Sequence, residues 1–418
     1  MARILIAGGG IAGLTLALSL HQIGVECRVF ETVASPQALG VGINLLPHAV
    51  RELTGLGLHD ALADSAIPTA ELAYYNKHGQ RIWSEARGRE AGYNWPQFSM
   101  HRGALLMILL DAVLQRLSAD KVLTGHHLTG WEDTGTGVRA HFADRRTGTR
   151  LEDAEGDLLI GADGIHSAVR RALYPNEGAP IWNGAILWRG TTRGRPFLTG
   201  RSMIMAGHEF QKFVAYPISR AAADAGEAEI NWIAERKFRP DHAWLREDWN
   251  RAGNLADFLP QFADWGFDWL DVPAIIQGAD VCFEYPMVDR NPLDRWSFGR
   301  VTLLGDAAHA MYPIGSNGAS QGILDARVLT REIRRAGATP DALLAYEAER
   351  RPATSKIVLA NRANGPEQVM QMVEQRAPDG FVRAEDVLTP DELYGTADGY
   401  KRIAGFDRDA LNARGEIV

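Results

Sequence analysis

Residues 3–31 read RILIAGGGIAGLTLALSLHQIGVECRVFE, and this stretch decides the fold. Arg3 to Ala7 is a short β-rich apolar run, Ile11 to Ile23 carries Ala and Leu at helical spacing, and Val25 to Glu31 is a second apolar run of strand length. Strand, tight turn, helix and strand within about thirty residues form the opening of a doubly wound sheet. The turn holds Gly8-x-Gly10-x-x-Gly13, and Glu31 stands eighteen residues beyond the last glycine. Glycines there let the backbone turn tightly, approach a pyrophosphate and pack helix on strand. The phosphates then meet the helix N-terminal N–H groups, and an acid closing the second strand accepts from ribose hydroxyls. The competing reading, a tight turn with incidental glycines, must also explain that acid. The pattern points to a dinucleotide, and FAD and NAD both use it.

Composition narrows the class. The chain has 418 residues, which at about 150 per domain suggests two to three domain equivalents. Charged residues are 23% and hydrophobic ones 46%, ordinary for a folded enzyme, so disordered and fibrous classes are excluded. A net charge of −8 removes nucleic acid as a default partner, because phosphate binding needs a basic surface. Two cysteines, Cys27 and Cys282, make neither a disulfide framework nor a zinc ribbon and fit a reducing cytoplasm. Met1 to Leu20 superficially resembles a signal peptide, but Gly8, Gly9, Gly10 and Gly13 break its apolar run and no polar cleavage region follows. No other stretch reaches the ~18 apolar residues of a membrane span. The expectation is a soluble, cytoplasmic protein.

Further along, Ala104 to Leu117 has the composition of a buried helix, and Val122 to Leu128, Trp131 to Asp133 and Val138 to Phe142 read as strands around a Gly135–Gly137 hairpin turn. Asp157 to Gly161 is another buried strand. From Ile181 to Tyr285 the texture changes: aromatic and β-branched residues alternate with polar ones in Ile186 to Thr192, Ser202 to Ala206, Lys212 to Pro217 and Glu229 to Ala234. That pattern predicts an antiparallel sheet inserted in the α/β domain. Arg300 to Leu304 returns to a buried strand, followed by helices over about 319–335 and 342–364, the second with Pro352 as a kink or boundary. The last forty residues hold turn signals at Thr389-Pro390 and Asp398-Gly399 and no chemical motif.

Two more segments carry chemistry. Val301-Thr-Leu-Leu-Gly305-Asp306-Ala-Ala-His309 precedes Pro313, Gly315, Asn317, Gly318 and Ala319 at a helix start. An Asp just after a buried strand can reach a sugar-alcohol hydroxyl, and the loop glycines leave the next helix N-terminus facing an anion. Gly161-Ala-Asp163-Gly164-Ile-His-Ser167 likewise ends a strand and starts a helix. Gly318-Ala-Ser320-Gln-Gly322 matches a hydrolase elbow, but its serine lies sixteen residues beyond the strand end at Leu304 and its notable histidine, His309, comes first. His126, His127 and His309 lack metal-ligand spacing, so no metal is expected. The aromatic stripe Trp265, Phe267, Trp269 reads as packing.

Together and in this order, Gly8-x-Gly10-x-x-Gly13, Asp163-Gly164 and Gly305-Asp306 resemble the class A flavoprotein monooxygenases, aromatic hydroxylases of the para-hydroxybenzoate hydroxylase type, over about residues 1–360. The resemblance implies that Gly8, Gly10, Ile11, Ala12, Gly13 and Glu31 hold the AMP half of FAD, that Asp306 holds the ribitol, and that Arg102 lies near the pyrophosphate (its alternative being a surface salt bridge). It further places Gly42 and Ile43 beside the isoalloxazine, Pro313, Gly315, Asn317, Gly318 and Ala319 at its pyrimidine edge, and Asp163 and Gly164 against FAD and the nicotinamide donor. Four longer strings, Trp182 to Gly190, Val214 to Ser219, Glu284 to Arg290 and Met311 to Gln321, are similar to the phenazine hydroxylases of pyocyanin formation. Asn44, Leu46 and His48 depart from the family's usual Gln-x-Gln-Pro-Asn run, and no motif after about Gly365 carries a likeness that can be named.

The implied fold is α/β: a Rossmann-like FAD-binding domain in three parts (1–70, 98–180 and 291–365, the last with its following helices), an inserted mostly antiparallel β-sheet substrate domain (181–290, with substrate-sheet strands in 71–97) and C-terminal helices with a tail at 366–418. The implied activity uses bound FAD, transient NADH or NADPH, and O₂ to hydroxylate an aromatic or heteroaromatic carboxylate through a flavin hydroperoxide, with or without loss of CO₂. A phenazine-like ring is favoured. The chemistry is flavin-driven, so no catalytic side chain is assigned. Trp188, Met205, Tyr216, Trp232 and Tyr312 are expected pocket walls, with ordinary sheet packing as the alternative. A salicylate or hydroxybenzoate hydroxylase and a flavin-binding protein without turnover remain alternatives. The expected partners are the small aromatic substrate and O₂, with no nucleic acid or membrane and a monomer or homodimer.

Overall fold

A computed structural model describes residues 3–239, 241–242 and 251–418; the remainder, including part of the expected 181–290 domain, lies outside the described residues. Arg3–Ala7 forms the centre of a five-stranded parallel sheet in the order Val301–Leu303, Leu158–Gly161, Arg3–Ala7, Glu26–Glu31, Val122–Thr124. Ile4, Leu5 and Ile6 are wholly buried, as expected for a parallel strand covered on both faces. Helix Ile11–Gln22 buries residues 13–20 between helices Arg102–Leu117 and Gly318–Ala336, which explains its lack of a polar face. Gly8 has φ +112°, and a Cβ on Gly13 would overlap the Gly8 carbonyl oxygen, so both positions admit only glycine without moving the helix off the strand.

The second sheet has seven strands in the order Cys282–Asp289, Ile181–Gly194, Ala228–Lys237, Gln211–Pro217, Ser202–His208, Glu71–Tyr75, Arg81–Ala86. All neighbours are antiparallel except Ser202–His208 with Glu71–Tyr75, so the expected mostly antiparallel sheet is present. Because side chains alternate along a strand, its faces have separate fates. One face, with Trp188, Phe213, Ala215 and Trp232, packs on Phe258, Phe262 and Trp265; the other, with Tyr74, Met205 and Tyr216, meets Val369, Met370, Val373 and Leu388 from the C-terminal segment. Trp265, Phe267 and Trp269 pack against one another and Tyr75, as the sequence suggested.

Three local expectations are corrected. The run Val122 to Leu128 is two strands, because Gly125 at φ +73° turns the chain from the parallel sheet into the antiparallel strand His127–Asp133. Pro352 lies inside a continuous helix, Pro340–Arg362, where buried Tyr346, Arg350, Thr354 and Ile357 on both sides of it offset the roughly 3 kcal/mol a helix-interior proline costs. Thr389-Pro390 and Asp398-Gly399 are not turns: Thr389 caps helix Pro390–Ala404 in a capping box with Glu392, and Asp398 and Gly399 sit within that helix. Among the described residues no helix is long and apolar enough to cross a membrane.

Candidate functional site

The parallel sheet delivers its strand ends and two long helix starts to one place. Helix Ile11–Gln22 begins at Gly10 and helix Gly318–Ala336 at Asn317, and neither has a side-chain cap or an acid in its first turn. They converge because Gly305 and Gly322 let Ala12 approach: a Cβ on either would lie 3.0 or 3.1 Å from the Ala12 methyl. Uncapped N–H groups with the positive helix ends behind them suit an anion. Gly10 differs from its neighbours. A Cβ there would meet nothing within 4 Å, so its surface is open where a pyrophosphate would lie. Glu31 reaches the same loop, its carboxylate accepting from Gly9 N–H and Val33 N–H, each at 2.7 Å. Asp306 is exposed between buried Gly305 and Ala307. These residues fit a dinucleotide: open backbone for phosphates, an acid for each sugar, and two unsatisfied helix ends.

A buried network holds this geometry. Asp325, wholly buried, accepts from Gly305 N–H at 3.1 Å and pairs with His309 at 2.5 Å and Arg350 at 2.7 Å. Burial raises its pKa, but the charges of His309 and Arg350 overcome that and hold it at about 2. Arg170 donates to the carbonyls of Ala307 and Ala308 at 3.1 and 2.9 Å, tying the Asp163 segment to the Asp306 loop. The carboxylate of Asp163 accepts from Ala168 N–H at 2.6 Å and from the Ser167 hydroxyl, which spends it on the start of helix Ala168–Leu173. Gly164, at φ +76° in open space, offers only backbone to a ligand. Sequence reasoning missed Arg170, Asp325 and Arg350; only Asp325, set between Ile323-Leu324 and Ala326, carried a local signal, a charge inside an apolar stretch. Ser320 of the elbow-like motif is buried in a helix and accepts from Leu46 N–H at 3.3 Å.

The large sheet presents one face to this region. Gly42 lies against it, with its N–H on Asn231 Oδ1 at 2.7 Å and its carbonyl accepting from Arg189 Nη2 at 2.9 Å. Arg189 Nε and Asn231 Nδ2 are buried without hydrogen-bond partners, which marks a place for an acceptor. Burial lowers the Arg189 pKa, opposed by Tyr216 and Tyr285; burial raises that of Tyr216, opposed by Arg189. Arg102 is exposed beside Gly40, its N–H donating to the Val41 carbonyl at 2.8 Å. Ile43 continues the strand Gly42–Leu45, whose Asn44 donates to Ser316 Oγ at 3.4 Å and so joins this strand to the loop of Pro313, Gly315 and Asn317.

Of the five expected pocket walls the structure brings three to this side. Met205 and Tyr216 share the face that meets Gly42 and the C-terminal segment, and Tyr312 packs with Leu187, Tyr285 and Met287, its hydroxyl donating to the Ile181 carbonyl at 3.3 Å. Trp188 and Trp232 are on the opposite face. Trp188 stacks on Phe258 with ring centroids 4.6 Å apart and bonds Glu284, and Trp232 bonds Thr192. Period-two alternation is the reason: Arg189 and Asn231, one residue away on each strand, take the inward positions.

Comparison with known proteins agrees with this geometry. The family described as "FAD binding domain" matches residues 1–179 and 285–361. The chain is 47% identical over 361 residues, 86% of its length and 89% of the relative's, to the phenazine 1,6-dicarboxylic acid hydroxylase PhzS of Lysobacter antibioticus. It is 32% identical over 362 residues, 85% of this chain and 84% of the relative, to the 3-amino-4-hydroxybenzoate 2-monooxygenase of Streptomyces cremeus. The fold is that of Klebsiella pneumoniae HpxO complexed with FAD and uric acid, with a TM-score of 0.75, 24% identity, and 98% and 96% of the two chains covered.

Proposed function

Since the chain belongs to the FAD-binding-domain family and is an FAD-dependent aromatic monooxygenase, we propose that its substrate is a carboxylated phenazine or a similarly flat heteroaromatic carboxylate, hydroxylated with NAD(P)H and O₂. The observation that carries this reading is the identity to a phenazine dicarboxylate hydroxylase across residues that include the large sheet, joined to the buried cation of Arg189 on the face that meets Gly42.

Bound FAD supplies the redox chemistry, taking hydride from the nicotinamide donor and activating dioxygen. The chain positions and shields it. In this reading Gly10 and the Ile11 helix start receive the pyrophosphate with Arg102 nearby, Glu31 takes the ribose and Asp306 the ribitol. The Gly318 helix start faces the flavin's pyrimidine edge, where a helix terminus contributes about 0.3–2 kcal/mol toward negative charge. Ile43, Asn44 and the Pro313 loop close the face where water must be kept out. Segments 1–70, 98–180 and 291–365 serve the cofactor, while 71–97 and 181–290 serve the substrate. Two free, buried cysteines, Cys27 and Cys282, support a cytoplasmic setting.

The test is NAD(P)H consumption by the purified protein with phenazine carboxylates, salicylate and hydroxybenzoates, with products identified by mass. Phenazine-stimulated consumption and a product heavier by one oxygen, or with carboxyl exchanged for hydroxyl, support the reading. Stimulation by salicylate alone replaces the phenazine with a monocyclic substrate.

A further inference from the structure

The loop between Tyr312 and the Gly318 helix start has a strained backbone. Gly315 has φ +70° and Ser316 φ +54°, two consecutive left-handed residues. Glycine accepts that region freely, but a serine there persists only where its surroundings hold it. Two side chains from the end of the chain do so. Asn361, wholly buried, donates from Nδ2 to the Tyr312 carbonyl at 3.0 Å and accepts at Oδ1 from the Tyr400 hydroxyl at 2.9 Å. The same hydroxyl lies 3.2 Å from the Ile314 carbonyl oxygen, so its one proton is shared between two acceptors. The Tyr400 ring stands in a slot left open by two missing side chains: a Cβ on Gly315 would overlap it, and one on Gly365 would lie 3.3 Å from it. Burial, with the Glu367 carboxylate nearby, pushes the Tyr400 pKa up, so the hydroxyl stays a donor.

A planar trans peptide points its C=O and N–H in opposite directions. Holding the Ile314 carbonyl toward Tyr400 therefore turns the Gly315 N–H to the other side of the loop. Asn317, where helix Gly318–Ala336 begins, follows two residues later. Donors stabilise a developing charge well only when their orientation is fixed beforehand. We propose that Tyr400 is a positioning residue: its hydroxyl, with Asn361, holds this loop in the shape that stabilises negative charge on the bound flavin, so the C-terminal segment sets how readily the flavin is reduced. This rests on the placement of the Gly318 helix start at the flavin's pyrimidine edge. Tyr400 belongs to helix Pro390–Ala404, beyond the residues the family description matches.

The experiment equilibrates the FAD-loaded enzyme, without oxygen, with a reference dye of known potential and reads flavin absorbance. At a fixed potential Tyr400→Phe should lower the ratio of reduced to oxidised flavin about three- to tenfold, the effect of one hydrogen bond, which is about 15–30 mV for a two-electron couple. Affinity for oxidised FAD should stay within about threefold, because the oxidised ring carries no charge at that edge. Asn361→Ala should act in the same direction. Tyr93→Phe is the control: it removes a like bond to the same segment, from the Tyr93 hydroxyl to Phe406 O at 2.7 Å, and should lower the melting temperature without moving the potential. An unchanged potential in Tyr400→Phe, or an equal shift in Tyr93→Phe, overturns the proposal. Asn317→Asp tests the placement beneath it, since a carboxylate at the helix start should make the flavin harder to reduce. If that variant keeps the wild-type potential, the placement falls and this inference with it. If it shifts while Tyr400→Phe does not, this inference alone is overturned.

Discussion

Gly10→Ala separates cofactor binding from folding. Gly10 has φ −79° and ψ −176°, a conformation alanine adopts freely, and the added methyl meets no atom within 4 Å. Two small effects on the fold oppose each other. Alanine is a poorer N-cap than glycine by about 0.5–1 kcal/mol, and the stiffer unfolded chain returns about 0.4–1 kcal/mol. The apoprotein should therefore melt within a few degrees of wild type. The methyl does, however, occupy the space beside the Ile11 helix start. Forcing a group into a filled contact costs about 1–3 kcal/mol, so FAD affinity should fall about 5- to 150-fold. Gly13→Ala is the contrasting variant: its methyl overlaps the Gly8 carbonyl oxygen in the apoprotein itself, so stability and FAD binding should fall together. Thermal melts of the apoproteins and fluorescence titration with FAD read both quantities. Wild-type FAD affinity in Gly10→Ala refutes the assignment of this turn to the pyrophosphate.

Asp306→Ala removes an exposed carboxylate, so the melting temperature should stay near wild type while the protein purifies nearly colourless; full flavin occupancy excludes the ribitol contact. Asp325→Asn leaves His309 and Arg350 buried without their anion and should cost about 3–5 kcal/mol, read by denaturant unfolding. Held at about 2, below the ordinary 3.8, Asp325 stabilises the wild type fully above that ordinary value and loses its effect as pH falls through about 2. His48 has the same sense of linkage, because its folded-state pKa is lowered too, but it acts at higher pH. Burial, with the charges of Arg350, Arg51 and Arg414, lowers it to about 3, so between that value and the unfolded 6.5 the unfolded chain binds the extra proton and stability falls with pH. This withdraws about 2 kcal/mol by pH 5. His48→Phe, which keeps the stack on Phe406, should lose that much less between pH 7 and pH 5, and equal losses in chemical denaturation at the two pH values would count against the linkage.

The His48 stack also accounts for a departure noted in the sequence. Asn44, Leu46 and His48 stand where the family has a different run, and two of them meet the C-terminal segment directly: His48 stacks on Phe406, and Leu46 packs in one cluster with Tyr400, Phe406 and Leu411. The segment and the altered run form one surface of contact.

The sequence by itself determined the cofactor half. Glycine spacing, strand-length apolar runs and an acid at a fixed distance are local, and each meets a requirement of backbone geometry that few residues satisfy. What lay far apart in the chain was decided only by the tertiary structure. Alternation in Trp188-Arg189-Gly190 shows that Trp188 and Arg189 face opposite ways, but which face turns to Gly42 depends on what covers each side, Phe258 and its neighbours or the loop. The Arg170 and Asp325 contacts each span more than fifteen residues, and no local pattern encodes such pairs. Asp398-Gly399 reads as a turn because glycine is costly in a helix by about 1 kcal/mol. The capping box at Thr389 and the burial of Tyr400 and Ala404 against the loop and Phe406 outweigh that cost, and this packing is what brings Tyr400 to the Gly315 loop.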